Sequence, residues 1–108
     1  MLEWVFRFTV DRGRLNEFVD WLRDNEDDLR AHTRPGWSYL GTWMTVGGFG
    51  KYSGESRWQL ESYAALGEGW GDETAQRLLS EFLDMIDNVA QEASLLRNVA
   101  TVQTAPNL

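Results

Sequence analysis

The hydrophobic period of this chain alternates between two lengths, and the order of those changes limits the fold more than any other feature. Residues 3–10, EWVFRFTV, put Trp4, Phe6, Phe8 and Val10 on one side and Glu3, Val5, Arg7 and Thr9 on the other, the two-residue period of a strand. From Arg14 the spacing lengthens to Leu15, Phe18, Val19, Leu22 and Leu29, the stripe of an amphipathic helix. Arg34-Pro35-Gly36 ends it, because proline cannot continue the ladder and the residue before it avoids helical dihedrals. Residues 37–46, WSYLGTWMTV, and 51–62 then predict two strands joined through Gly47-Gly48-Phe49-Gly50, a tip where positive φ costs little. The second of these strands sets Tyr52, Ser56, Trp58 and Leu60 against a polar face of Ser53, Glu55, Arg57, Gln59 and Glu61. A glycine-rich connection, Leu66 to Gly71 with Trp70 near its end, leads to Asp72, a predicted N-cap. The helix that follows carries Leu78, Leu79, Phe82, Leu83, Ile86, Val89 and Ala90, and residues 95–102, LLRNVATV, predict a last strand before the Pro106 tail.

Strand, helix, strand, strand, helix, strand is the split βαβ pattern of an α+β fold: one domain over residues 1–108, a four-stranded antiparallel sheet, and two helices on one face. The second strand carries large apolar groups on both sides, Trp37, Tyr39 and Trp43 against Leu40, Met44 and Val46. A sheet with one wet face alternates apolar with polar, so this pattern predicts a cover for the open face. A second copy, packed sheet to sheet about a two-fold axis, supplies one; the expectation is a homodimer.

Two segments carry a resemblance: Pro35-Gly36-Trp37-Ser38-Tyr39-Leu40-Gly41-Thr42-Trp43, and Arg57-Trp58-Gln59-Leu60-Glu61-Ser62-Tyr63-Ala64-Ala65-Leu66. Here the chain resembles the dimeric α+β barrel proteins, whose ferredoxin-like protomers pair their open sheets into a shared barrel, and within them the NIPSNAP-like and antibiotic-biosynthesis-monooxygenase-like members. The resemblance covers almost the whole chain. It implies either a cofactor-independent monooxygenase or isomerase acting on an aromatic or polyketide-like molecule, or a non-catalytic ligand-binding or structural homodimer with a filled barrel. The fold does not choose among these. Haem-degrading members place an asparagine on the first strand; EWVFRFTV has none, so no cofactor is carried over, and haem would find only His32 as an axial ligand.

Composition removes other classes. There is no cysteine, hence no disulfide, thiol nucleophile or thiolate metal site. Ten basic against seventeen acidic side chains, with Lys51 the sole lysine, argue against nucleic acid, which is bound chiefly through clustered Lys and Arg. No apolar run approaches a membrane span and MLEWVFRF does not read as a signal peptide, so the expected compartment is the cytoplasm.

His32 is the single histidine, the one side chain whose ordinary pKa lies near neutrality, and therefore the first candidate for proton transfer. Its place near a helix end also suits a purely structural role. One histidine without cysteine gives no zinc site. Asp20, Asp24 and Asp28 share one side of the first helix but lack a converging loop, and read as a solvated acidic face. GEGWG, residues 67–71, lacks the Lys-Ser/Thr of a phosphate loop and reads as a connection able to cover a pocket, Trp70 at its tip. On the open sheet face, Arg7 and Thr9 of the first strand come beside Glu55 and Arg57 of the third. Two readings follow: an Arg7–Glu55 ion pair inside the dimer, or a site for an anionic or carbonyl-bearing aromatic ligand in which Arg7 holds the polar end and Trp43 or Tyr39 stacks on the ring. The candidate catalytic set is thus His32, Arg7 and Tyr39, with Trp43, Glu55, Arg57 and Thr9 as candidate binding residues and no metal. Trp21 falls off the apolar stripe of its helix and is assigned to no site.

Overall fold

A computed structural model describes residues 2–47 and 52–98. Its elements are β1 (Leu2–Val10), α1 (Leu15–Ala31), β2 (Trp37–Met44), β3 (Gly54–Leu60), a 3₁₀ turn (Tyr63–Gly67), α2 (Glu73–Asp84) and β4 (Ile86–Arg97). The strands lie in the order β2-β3-β1-β4, every neighbouring pair antiparallel, which is the ferredoxin-like arrangement. Of the glycine tip, residues 48–50 lie outside the described residues, as do 99–102 of the last predicted strand and the Pro106 tail.

The even-numbered side chains of β1 face the helices. Phe8, fully buried, meets Phe18 of α1 edge-on at 5.4 Å and Phe82 of α2 at 4.9 Å, so one ring on the central strand fastens both helices to the sheet. Opposite it on β3 stands Gly54, where a Cβ would lie 2.7 Å from the Phe8 ring. A second cluster, Leu2, Trp37, Leu60 and Ala65, closes the far end of the sheet, with Trp37 Nε1 donating to the Ala65 carbonyl at 2.9 Å. No described helix is long and apolar enough to cross a membrane.

Two predicted boundaries move. The second helix stops at Asp84, and Ile86, Val89 and Ala90, which continue its apolar spacing, belong to β4 instead. Met85 caps the helix and its carbonyl accepts from Asp11 N–H at 2.9 Å, pinning the helix end to the end of β1. Beyond it the Asp87 carboxylate accepts from Val89 N–H at 2.8 Å, the local side-chain competition that makes aspartate a poor helix continuer. β4 therefore begins at Ile86, not at residue 95, and takes a wide irregularity there: Phe8 pairs with Gln91 but Val10 with Ile86.

The second correction concerns strand faces. Leu40 and Gly41 together oppose Arg57, a β-bulge made possible by Gly41 at φ +148. Strict alternation would keep Trp43 beside Tyr39, but the bulge reverses the parity. Trp37, Tyr39, Thr42 and Met44 face the helices, and Trp43 moves to the outer face with Glu55, its cross-strand partner.

Candidate functional site: a cleft between sheet and helices

Beside the Phe8 cluster, the helices and the sheet leave a cleft between them. It has a volume of about 510 Å³ and aromatic walls, among them Trp4, Phe6, Trp21, Trp58 and Trp70. That volume lies within the range of small-molecule sites. Trp21, which the helical stripe left unassigned, is a wall of this cleft: its ring packs on Phe18 and Phe82, and its Nε1 donates to Glu81 at 2.8 Å. That bond, with help from Arg77, holds the Glu81 carboxyl below the usual carboxylate range.

Two polar groups stand at the cleft's rim. His32, the residue after α1, donates through Nδ1–H to the Asp72 carboxylate at 2.8 Å, and the other oxygen of Asp72 accepts Ala75 N–H at 2.9 Å as the N-cap of α2. The cap bond and then His32 depress the Asp72 pKa, and a carboxylate so placed fixes the imidazole's orientation. Arg34 lies between two indoles, 4.5 Å from the Trp37 ring centroid and 4.3 Å from that of Trp70. Its guanidinium also donates to the carbonyls of Leu66, Glu68 and Gly69, tying the glycine-rich connection across the opening. Gly71 closes this loop at φ +88, where a Cβ would meet Ala75 at 2.9 Å and the Thr33 carbonyl at 3.1 Å.

On the floor, β2 and β3 present three hydroxyls in a row: Tyr39 to Thr42 at 2.5 Å, and Thr42 to Ser56 at 2.7 Å. Burial raises the Tyr39 pKa, so the phenol is neutral at ordinary pH. Sequence reasoning found Tyr39 but not Thr42 or Ser56, since only the bulge at Gly41 brings Thr42 to this face.

The sheet separates the candidate catalytic residues. His32 and Tyr39 line the cleft, whereas Arg7 lies on the outer face, its Nε 3.1 Å from Glu55. Arg57 continues that row, 2.7 Å from Glu55 and 3.4 Å from Glu3, with its guanidinium over the Trp43 ring. Arg7, Trp43 and Glu55 border a smaller groove of about 340 Å³. Thr9, two residues along β1 from Arg7, has a buried hydroxyl with no partner among the described residues. Tyr39 therefore cannot stack on a ligand held by Arg7. Among the described residues no three His, Cys, Asp or Glu side chains cluster as metal ligands, and the aspartates of α1 stay apart from any site.

Fold and cleft together define a ferredoxin-like α+β protein with a recess between sheet and helices. Solved structures of the same fold include an uncharacterized NIPSNAP domain protein from Burkholderia xenovorans, 17% identical, covering 96% of this chain and 100% of its own, with a TM-score of 0.65. A dimeric ferredoxin-like protein of unknown function from Thermobifida fusca YX superposes with a TM-score of 0.69 at 12% identity, over 90% of each chain. An antibiotic biosynthesis monooxygenase does so at 0.59 and 13% identity, over 92% of this chain and 99% of that one. At these identities the likeness is one of fold. No family model matches the sequence, and no curated protein matches it.

Proposed function

We propose that this protein binds a small, flat, largely apolar molecule in the cleft, and that it does so as a homodimer paired through the outer sheet face. The observation that carries the reading is the aromatic recess of about 510 Å³ with hydroxyls on its floor and a carboxylate-oriented histidine at its rim. Stacking walls bind the body of such a molecule; a few placed polar groups orient it. The dimer draws on the exposed outer-face residues Trp43 and Leu96, and on the neighbour described as dimeric.

His32 is the cleft's proton acceptor in this reading. Proton removal from an activated carbon is shared by isomerisation and by cofactor-independent oxygenation, and one structural neighbour is named an antibiotic biosynthesis monooxygenase. Arg7, Glu55 and Arg57 then serve the dimer rather than the ligand. The test is uptake of N-phenyl-1-naphthylamine, a neutral dye that brightens in apolar surroundings. Saturable uptake of one dye per chain is expected, and Ala93→Trp, which fills the cleft from its exposed β4 side, should abolish it. Absent uptake, or uptake indifferent to that substitution, refutes the reading.

A second reading, a structural homodimer with a filled barrel, is favoured by the outer face. There Arg7, Glu55, Arg57 and Glu3 neutralise one another in a continuous row. It predicts the dimer without the dye.

A further inference from the structure

The three hydroxyls on the cleft floor can be counted, and the count specifies a ligand group. Each hydroxyl brings one proton and two lone pairs. Tyr39, Thr42 and Ser56 make two bonds among themselves, so three protons serve two bonds and one remains. None of the three has another side-chain partner among the described residues.

Where the spare proton sits follows from burial. All three border the cleft, but Tyr39 is only 5% exposed and Ser56 1%, whereas Thr42 is partly exposed. A donor left unmade on a buried hydroxyl costs its full desolvation, while one facing the cleft finds water or ligand. The favourable arrangement has both buried hydroxyls donating to Thr42 Oγ1, whose two lone pairs accept them. The Thr42 proton then points toward the space between sheet and helices.

We infer that the Thr42 hydroxyl is a ligand-recognition donor, fixed by Tyr39 and Ser56, and that the molecule taken by the cleft carries a hydrogen-bond acceptor oxygen, a ketone or its equivalent, on an otherwise apolar ring system. This inference rests on the cleft being a ligand site and adds the chemistry of its floor. A pure hydrocarbon would strand the donor. An oxygen placed against Thr42 satisfies it, and with both lone pairs already occupied Thr42 recognises acceptors, not donors.

The test compares 1-tetralone with tetralin, which share a ring skeleton and differ by the carbonyl, as displacers of N-phenyl-1-naphthylamine. Thr42→Val, which removes the donor at nearly constant shape, should weaken 1-tetralone about tenfold and leave tetralin unchanged. Thr42→Ser, which keeps the hydroxyl, should restore the ketone's affinity. The infrared carbonyl stretch of 1-tetralone bound to the unaltered protein gives an answer independent of whether Thr42→Val folds: it should fall below its position in alkane solvent. Ketone binding indifferent to Thr42→Val, or a bound carbonyl at the alkane position, overturns the assignment of Thr42 while leaving the cleft intact. Failure of both compounds to displace a dye that does bind overturns this inference alone, whereas failure of the dye to bind at all overturns the cleft reading and this inference with it.

Discussion

Single residues here act through close approach as much as through chemistry. Gly54 has no side chain because Phe8 occupies its space: a Cβ would lie 2.7 Å and 2.8 Å from two ring carbons and 3.0 Å from Met44 sulfur. The ring cannot withdraw, being held between Phe18 and Phe82. Gly54→Ala should therefore destabilise by about 1–3 kcal/mol, the usual cost of overpacking a filled core, although alanine ordinarily favours strands over glycine. Urea unfolding followed by tryptophan fluorescence measures it, and an unchanged midpoint would contradict the packing described. A glycine in a strand advertises a close neighbour in sequence. Which neighbour it is depends on the register of β1 against β3, a tertiary fact. The same holds for His32: its type makes it a candidate, but its partner Asp72 is forty positions away and reads in sequence only as a cap.

At the scale of elements, α2 and the loop before it meet at Asp72, whose two oxygens serve different elements. Ala75 N–H and His32 favour the carboxylate, so its native pKa lies below its ordinary 3.8. The native state thus binds this proton less well than the unfolded chain does. The stabilisation is fully present above the ordinary value and is lost as pH falls through the lower native one. Amide exchange at the first turn of α2 should accelerate as pH drops below about 4 relative to intrinsic rates, and Asp72→Ala should remove that dependence. Equal acceleration in both proteins would assign the change to another group. The connection is held differently, by Arg34 between Trp37 and Trp70 and on three carbonyls. Arg34→Gln keeps some bonding capacity but loses both ring contacts, so exchange across residues 66–71 should rise several-fold with the core unchanged. No change there would mean that the loop is held by other contacts. Most elements were legible from period alone, since β1 and α1 read cleanly as two-residue and 3.6-residue repeats. The failures have two causes: periodicity registers neither an inserted residue nor a helix stop set by local hydrogen bonding. The bulge at Leu40-Gly41 turned Trp43 to the outer face, and the Ile86, Val89, Ala90 spacing imitated a helix that Met85 and Asp87 terminate.

The whole molecule presents two unlike faces of one sheet. On the helix side the recess is apolar with a hydroxyl floor; on the outer side a charge row crosses β1 and β3, flanked by Leu40, Trp43 and Leu96 at 37%, 51% and 48% exposure. Sheet-to-sheet pairing would desolvate that row, which is costly for any charge left alone. Here two guanidiniums meet two carboxylates, so the row itself would enter such an interface neutral, while Trp43 and Leu96 would supply apolar area. Light scattering on a sizing column should give twice the chain mass at micromolar concentration. Trp43→Glu with Leu96→Glu, which buries two unpaired carboxylates per protomer in the same interface, should give the monomer. Because the cleft lies on the opposite face, that monomer should still take up N-phenyl-1-naphthylamine with affinity within a few-fold of the parent. A parent that is monomeric removes the dimer from the proposal. A dimer whose dissociation abolishes uptake would mean that the two faces are coupled through the sheet, and the cleft would then be a property of the pair.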